Sequence, residues 1–241
     1  MPVTAHFRPL SVNDLTLPSP ETSPGGPLEP ACALARPATP GHLNELSAAA
    51  GPLDQPDALA PHWQQFFAHL EREGFADLER RERAVARQLR DNGVSYNVYA
   101  DQDRLQRPWS LDLFPLIVPP QQWAAIEAGV LQRTRLLNLI LADIYGPRRL
   151  LHEGLLPPAL AQGHPGYLRA MQGTRPPGDT WLHLVAFDLA HGPDGQWQVV
   201  SQRTQSPSGL GYLLENRLIV SRLFPAAFGA MEVQRLAASY R

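Results

Sequence analysis

The sequence predicts an α+β fold, on three observations. Helical apolar spacing dominates residues 61–144. Two β-like runs, 181–190 and 196–204, flank a tight-turn sequence. A further helical run, 213–223, follows them. The 241 residues are 44% hydrophobic and 18% charged, enough apolar surface for a sizeable core in one or two domains. Residues 1–56 read as a disordered Pro-rich tail, because they bury too little apolar surface to offset ordering entropy. Residues 57–241 read as the folded part. Within the tail, residues 44–50 carry a short helical signal.

Charge narrows the function. All 21 basic residues are Arg and none is Lys, so the chain holds no P-loop, Schiff-base or lysine phosphate clamp. GC-rich coding is the simplest origin of that bias. A formal charge of −2 gives no reason to expect nucleic acid or an anionic membrane surface. Cys32 is the only cysteine, which excludes an intramolecular disulfide and fits a reducing compartment. The N-terminus lacks the apolar core of a signal peptide, and no uncharged apolar run approaches about 18 residues. The sequence therefore predicts a cytoplasmic protein.

The helical region opens at Pro61, with Trp63, Phe66, Phe67 and Leu70 at helical spacing and Gly74 as a stop. A second helix is predicted over 76–90, with Leu78, Val85 and Leu89 on one side and interleaved Arg and Glu on a solvated face. Asp91-Asn92-Gly93 ends it, and 94–99 reads as a strand. The strongest helix spans 120–144. Pro119-Pro120 starts it, and Gly146-Pro147 stops it. Trp123, Ile126, Val130, Leu131, Leu137, Ile140, Leu141 and Ile144 give it a broad apolar face. Residues 150–179 form a Pro/Gly-rich connection with a short helix at 158–161. His164 sits in its Gly163-His164-Pro165-Gly166 turn, where a hydrogen-bonding role is the simplest reading.

The hairpin rests on Gly192-Pro193-Asp194-Gly195. Pro193 and Asp194 suit the centre of a type I turn, and Gly195 the left-handed position of a G1 bulge. If Gly192 pairs with Gln196, Asp188 lies opposite Val200 and Ala186 opposite Gln202. That register puts Asp188 and Gln202 on one face, with Leu184, Ala186 and Val200. An acid on an apolar face needs a partner, since an unpaired buried carboxylate is costly. A metal ion and an Arg both meet that need. The loop that follows, Ser208-Gly209-Leu210-Gly211, opens a helix and can turn backbone N–H groups toward an anion. Glu215, Asn216 and Arg217 are consecutive, so they cannot share one helical face. At least one is expected toward the hairpin and one toward solvent.

Asp188 with the run Gln202-Arg203-Thr204-Gln205-Ser206-Pro207-Ser208-Gly209-Leu210-Gly211-Tyr212-Leu213-Leu214-Glu215-Asn216-Arg217 resembles circularly permuted ATP-grasp proteins related to glutathionylspermidine synthetase. There a strand Asp precedes a turn and a strand ending D-R-T-Q-x-P-S-G-x-G-Y-x-L-E-N-R. Upstream, Gly93-Val94-Ser95-Tyr96-Asn97-Val98-Tyr99-Ala100-Asp101 is similar to the family's G-V-T-Y-N-V-Y-x-D. Arg107-Pro108-Trp109, Leu111-Asp112, Leu141-Ala142-Asp143-Ile144-Tyr145-Gly146 and the His164 turn follow in the same order. The resemblance runs from about Pro61 to the C-terminus. It makes residues 57–241 the N-terminal portion of a permuted ATP-grasp domain.

The resemblance implies an ADP-forming carboxylate–amine ligase that uses ATP and Mg2+. A small-molecule or peptide carboxylate is phosphorylated, and an amine displaces the phosphate from the acyl phosphate. It implies Asp188 and Gln202 as metal-side residues. Gln205, Ser208, Gly209, Gly211 and Asn216 fall to the nucleotide, and Arg203, Arg217 and Glu215 to catalysis. Two departures temper this. The family acid at 202 is Gln here, which keeps an oxygen and loses the charge. Family members also continue well past the position of Arg241, where their phosphate-holding lysines are expected. The sequence thus predicts a fragment, inactive alone, with a missing C-terminal half as a candidate partner. A non-catalytic binding or assembly module with a degraded metal site is the alternative.

Overall fold

The computed structural model describes residues 31–32, 42–47, 59–70, 75–96 and 107–236. The rest of the expected tail, the Gly74 stop, and the 97–101 part of the upstream motif lie outside the described residues. These residues form two compact units. One takes residues up to Ile117 and from Gly209 onward, and the other is Val118–Ser208. Helices predominate, with two small antiparallel sheets, so the α+β class holds.

In the first unit, α1 (Pro61–Ala68) starts on a proline whose fixed φ suits a first helical turn. Its Trp63, Phe66 and Phe67 sit at i, i+3 and i+4 and are all buried. Trp63 stacks on Phe67 at 5.3 Å, while Phe66 meets Phe224 edge-on at 5.1 Å and Phe114 at 6.1 Å. Such aromatic pairs add to their burial energy. α2 (Leu78–Asp91) buries Leu78, Val85 and Leu89, as predicted. Its exposed side pairs Arg80 with Asp77 at 2.6 Å and Arg83 with Glu79 at 3.9 Å. The helix ends in a Schellman motif. Val94 N–H donates to the Leu89 carbonyl and Gly93 N–H to that of Arg90, both at 3.0 Å, with Gly93 at φ 65°. β1 (Ser95–Tyr96), within the expected 94–99 strand, then pairs with β2 (Arg107–Pro108); residues 97–99 lie outside the described residues.

Ala31 and Cys32, 0% and 7% exposed, belong to this same core. Those two residues of the expected tail are therefore packed. The helical signal at 44–50 gives a turn over the described 44–47. There Asn44 Oδ1 accepts from Leu46 N–H at 3.1 Å, and Ser47 bridges to Leu59. An Asn side chain that bonds the backbone two residues on favours a turn over a helix.

The second unit is built on α3 (Pro120–Tyr145), 26 residues long. Its broad apolar face is only partly covered, because just Ile126 and Ile144 are buried. On that face Trp123 and Leu131 are exposed at 45% and 47%, and beside it Leu136 and Leu139 at 56% and 66%. One long helix beside short connections and a hairpin has too little partner surface to cover all its apolar sides. Two short helices follow, α4 (Arg149–His152) and α5 (Pro158–Ala161). The Asp143 carboxylate accepts the Arg149 and Leu150 N–H groups at 2.9 and 3.0 Å, so it satisfies the orphan donors at the start of α4.

The long connection is ordered by aromatic and amide contacts. Tyr145 lies between Tyr167 and Trp181, at 5.3 and 5.1 Å, with near-parallel rings. Gln172 Nε2 donates to the carbonyls of Tyr145 and Gly146. Asn138 Oδ1 accepts from the N–H groups of Trp181 and Leu182. His164 Nδ1 accepts from Gly166 N–H at 3.0 Å, the turn role expected of it. β3 (Ala186–His191) and β4 (Trp197–Arg203) complete the unit as an antiparallel hairpin.

Back in the first unit, α6 (Leu210–Leu223) buries Ile219 and Val220. α7 (Pro225–Ala230) restarts the helix at Pro225. No helix among the described residues is long and apolar enough to cross a membrane. Phe66, at 2% exposure, meets four other aromatic rings of this core. Phe66→Ala is expected to destabilise the protein by about 3–5 kcal/mol, measured as a shift in the urea midpoint at unchanged m-value.

Candidate functional site

The hairpin loop folds as its sequence requires. Gly192 N–H donates to the Gln196 carbonyl and Gly195 N–H to that of Gly192, both at 2.9 Å. Gly195 has φ 73°, a conformation that costs glycine little. Pairing runs as predicted from His191↔Trp197 to Leu189↔Val199. A bulge between Asp188 and Leu189 then shifts it, giving Asp188↔Ser201, Phe187↔Gln202 and Ala186↔Arg203.

That one-residue shift corrects the predicted face. Directly paired residues point to the same side, so Asp188, Ser201 and Arg203 share a face and Gln202 lies with Phe187 on the other. Asp188 and Gln202 are not neighbours on one face. The expected apolar burial is absent too, since Leu184 and Val200 are 56% and 68% exposed. Of the two candidate partners for Asp188, the structure supplies Arg. Arg203 Nη2 donates to Asp188 Oδ1 at 2.7 Å, and Ser201 Oγ donates to Oδ2. The Ser201 hydroxyl first, and the Arg203 charge after it, hold the Asp188 carboxyl below the usual carboxylate range.

Gln205 and Ser208 lie exposed in the segment after β4. Ser206 there adopts a left-handed backbone at φ 45°. Among the described residues neither Gln205 nor Ser208 makes a side-chain hydrogen bond. In the first unit, Gly209 caps α6 at φ 110°, and Gly211 lies in its first turn. The three consecutive polar residues of α6 are each engaged within that unit. Glu215 accepts from Asn92 Nδ2, and Asn216 Oδ1 accepts from Trp109 Nε1 at 2.9 Å. The Arg217 guanidinium lies 5.6 Å over the Phe228 ring, and partial burial pushes its pKa down. Trp109 packs on Tyr212 at 4.6 Å, and the Tyr212 hydroxyl donates to the Ser95 carbonyl at 2.6 Å.

Motif blocks about a hundred residues apart in sequence are thereby joined, with 92–95 and Trp109 meeting 212–216. Sequence reading assigned Glu215 and Asn216 to chemistry and overlooked this tie. The signal was there, since a Trp N–H, a Tyr hydroxyl and an Asn amide all require partners once packed.

The second unit also has an open cleft of about 460 Å³ between α3 and the hairpin, lined by Gln122, Ile126, Gly129, Val130, Leu189 and Trp197 among others. Trp197 Nε1 donates to Gln122 Oε1 across it at 3.1 Å. No sequence motif pointed to it, because its walls are ordinary apolar and amide side chains.

Among the described residues the hairpin brings no second carboxylate or amide oxygen beside Asp188. Each Asp188 oxygen accepts one hydrogen bond, and Gln202 lies on the other face. Among the described residues no group of three or more His, Cys, Asp or Glu is placed to hold a metal ion.

Residues 115–241, over half of the chain, match the family described as circularly permuted ATP-grasp type 2, and the chain belongs to that family. It is 38% identical over 181 residues to an uncharacterized protein of Mycobacterium tuberculosis, covering 72% of this chain and 20% of that protein. It is 34% identical over 142 residues to an uncharacterized protein of Synechocystis sp., covering 59% of this chain and 30% of that one. An uncharacterized protein of Mycobacterium leprae is 30% identical over 172 residues, with 71% and 30% covered. The matched region thus spans between 20% and 30% of these relatives' length.

Ser201→Ala removes the largest influence on the Asp188 carboxyl. Its titration midpoint should rise toward the usual carboxylate range, followed by the side-chain carboxyl carbon shift against pH.

Proposed function

We propose that this chain is part of an ATP- and Mg2+-dependent ligase that joins a carboxylate to an amine. The supporting observation is family membership over residues 115–241, a span that includes the whole Gln202–Arg217 motif. In such a reaction a carboxylate oxygen attacks the terminal phosphoryl group of ATP and ADP leaves. An amine then attacks the acyl carbon, a C–N bond forms, and phosphate departs with loss of a proton from nitrogen. Bound Mg2+ supplies charge neutralisation on the phosphates. Narrower kinship with glutathionylspermidine synthetase, and a small-molecule or peptide substrate, belong to the same reading.

Within it, this chain contributes permanently charged arginines. Arg203 is exposed at the end of β4, and a guanidinium meets phosphate or carboxylate through two parallel hydrogen bonds. Arg217 is partly buried on α6 and stays charged at neutral pH. Gln205 and Ser208 offer polar side chains to the nucleotide, and Gly209 and Gly211 offer backbone N–H groups at the start of α6. Glu215 and Asn216 act through the packing of Asn92 and Trp109, which sets the geometry of the α6 start. The Mg2+ ligands, like the phosphate-holding lysines, come from outside the hairpin in this reading, from a partner or a further portion of the polypeptide. A cytoplasmic location completes the reading.

A second reading, a binding or assembly module without turnover, is favoured by one observation. The hairpin offers no paired acids, since Gln stands at 202 and faces away from Asp188.

One experiment separates the two. Residues 115–241 replace the matching segment of the longer M. tuberculosis relative, and ADP release is followed with Mg-ATP, candidate carboxylates and amines. The ligase reading expects ADP release that needs both co-substrates, lowered about a hundredfold in kcat/KM by Arg203→Ala. Release indifferent to Arg203→Ala removes the role given to that residue, and no release from a folded chimera favours the module.

A further inference from the structure

The sequence resemblance gives Asp188 to a cation, but the hairpin gives it to an arginine. We infer that Asp188 is the holder of Arg203, and that Arg203 is an oxyanion-binding arginine kept masked until a phosphate- or carboxylate-class anion takes it from Asp188. Only the choice of anion rests on the ligase reading.

The bulge carries the argument. It removes Val200 from the position opposite Asp188 and puts Ser201 there, with Arg203 two residues on along the same face. Ser201 Oγ then occupies Oδ2, and Arg203 Nη2 occupies Oδ1. The contact on Arg203 is a single N–H, not the two-pronged fork a guanidinium makes with a well-placed oxyanion. No other hydrogen bond reaches that guanidinium among the described residues. The side chains of Arg203 and Asp188 are 56% and 45% exposed, so the pair sits in high dielectric and is weak. An incoming anion with two oxygens offers Arg203 a better arrangement than it has. When Arg203 leaves, Ser201 still satisfies one Asp188 oxygen and the other faces water, so exchange strands no buried charge.

The sign of the effect follows from Coulomb's law. Asp188 competes with the anion, so removing its charge tightens anion binding. A metal ligand behaves otherwise. If Asp188 held a cation that in turn held the anion, removing its charge would weaken binding.

The test uses the 15N-labelled 241-residue chain at constant ionic strength, with sodium pyrophosphate, succinate and MnCl2 as separate probes. The Arg203 Nε–H resonance is identified by its loss in Arg203→Gln. The expectation is that pyrophosphate or succinate shifts this resonance, the stronger response naming the anion class. Asp188→Asn is expected to lower the Kd about threefold to tenfold. Unchanged amide shifts at Gly192 and Gln196 show the hairpin intact, and Asp188→Ser serves if Asp188→Asn disturbs them. An equal or higher Kd in the charge-free variant overturns the inference, as does an Arg203 resonance that ignores both anions. Mn2+ broadening centred on the 188 and 202 amides at substoichiometric metal also overturns it. Each of these leaves the ligase reading to be judged by ADP release in the chimera, so the two failures are distinct.

Discussion

A single unpaired residue on β4 decides the chemistry of the hairpin. Side chains alternate along a strand, so one extra residue exchanges the faces of everything beyond it. Before the bulge, Leu189↔Val199 keeps the register set by the Gly192–Gly195 loop; after it, Asp188 meets Ser201 in place of Val200. An acid that would have faced an apolar side chain faces a hydroxyl, and the next residue on that face is Arg203. The ion pair, the separation of Asp188 from Gln202 and the depressed Asp188 carboxyl all follow from that shift.

The first unit depends on a different constraint, the pairing of polar groups that packing removes from water. Its core is aromatic; Trp63 Nε1, buried in it, has no hydrogen-bond partner among the described residues, but the Trp N–H and Tyr hydroxyl at its edge each find one. Trp109 finds Asn216, and Tyr212 finds the Ser95 carbonyl. These bonds tie the start of β1 and the residue after β2 to the first two turns of α6. Residues that read in sequence as a polar cluster for chemistry are thus also the means by which two distant motif blocks are held together. Arg81 adds a third tie, its Nη1 donating to the Leu223 carbonyl at the end of α6.

What could be read from sequence was local. Proline starts at Pro61 and Pro120, the Asn92-Gly93 stop and the Gly195 turn depend on neighbouring residues, and all were legible. The spacing of Leu78, Val85 and Leu89 fixed the buried side of α2 in the same way. Two expectations failed where the outcome depends on something non-local. The bulge has no turn-like signature between Val199 and Ser201, so the loop register was extended too far. α3 shows apolar residues on most sides, and spacing alone does not say how much partner surface is at hand; Trp123 and Leu131 of the expected apolar face stay exposed. The family pattern was legible because its motifs are long and collinear. The side-chain partners of Asp188, Glu215 and Asn216 were not, because each was set by a contact across the chain.

A chain without lysine has one kind of permanent cation, and this shapes how the hairpin can be controlled. A guanidinium does not lose its proton in the physiological range, so Arg203 cannot be switched by its own titration. Its availability is instead set by whatever competes for it. Asp188 is that competitor, and its carboxyl is held below the usual range by Ser201 first and Arg203 second. The pair therefore remains intact through neutral and mildly acidic pH and weakens only as pH falls through the depressed Asp188 value. At neutral pH Arg203 passes from this weak, exposed pair to a better oxyanion without any change of protonation. In the structure the arginine is held by one N–H, on an exposed face, beside a hydroxyl that keeps its partner satisfied after it leaves.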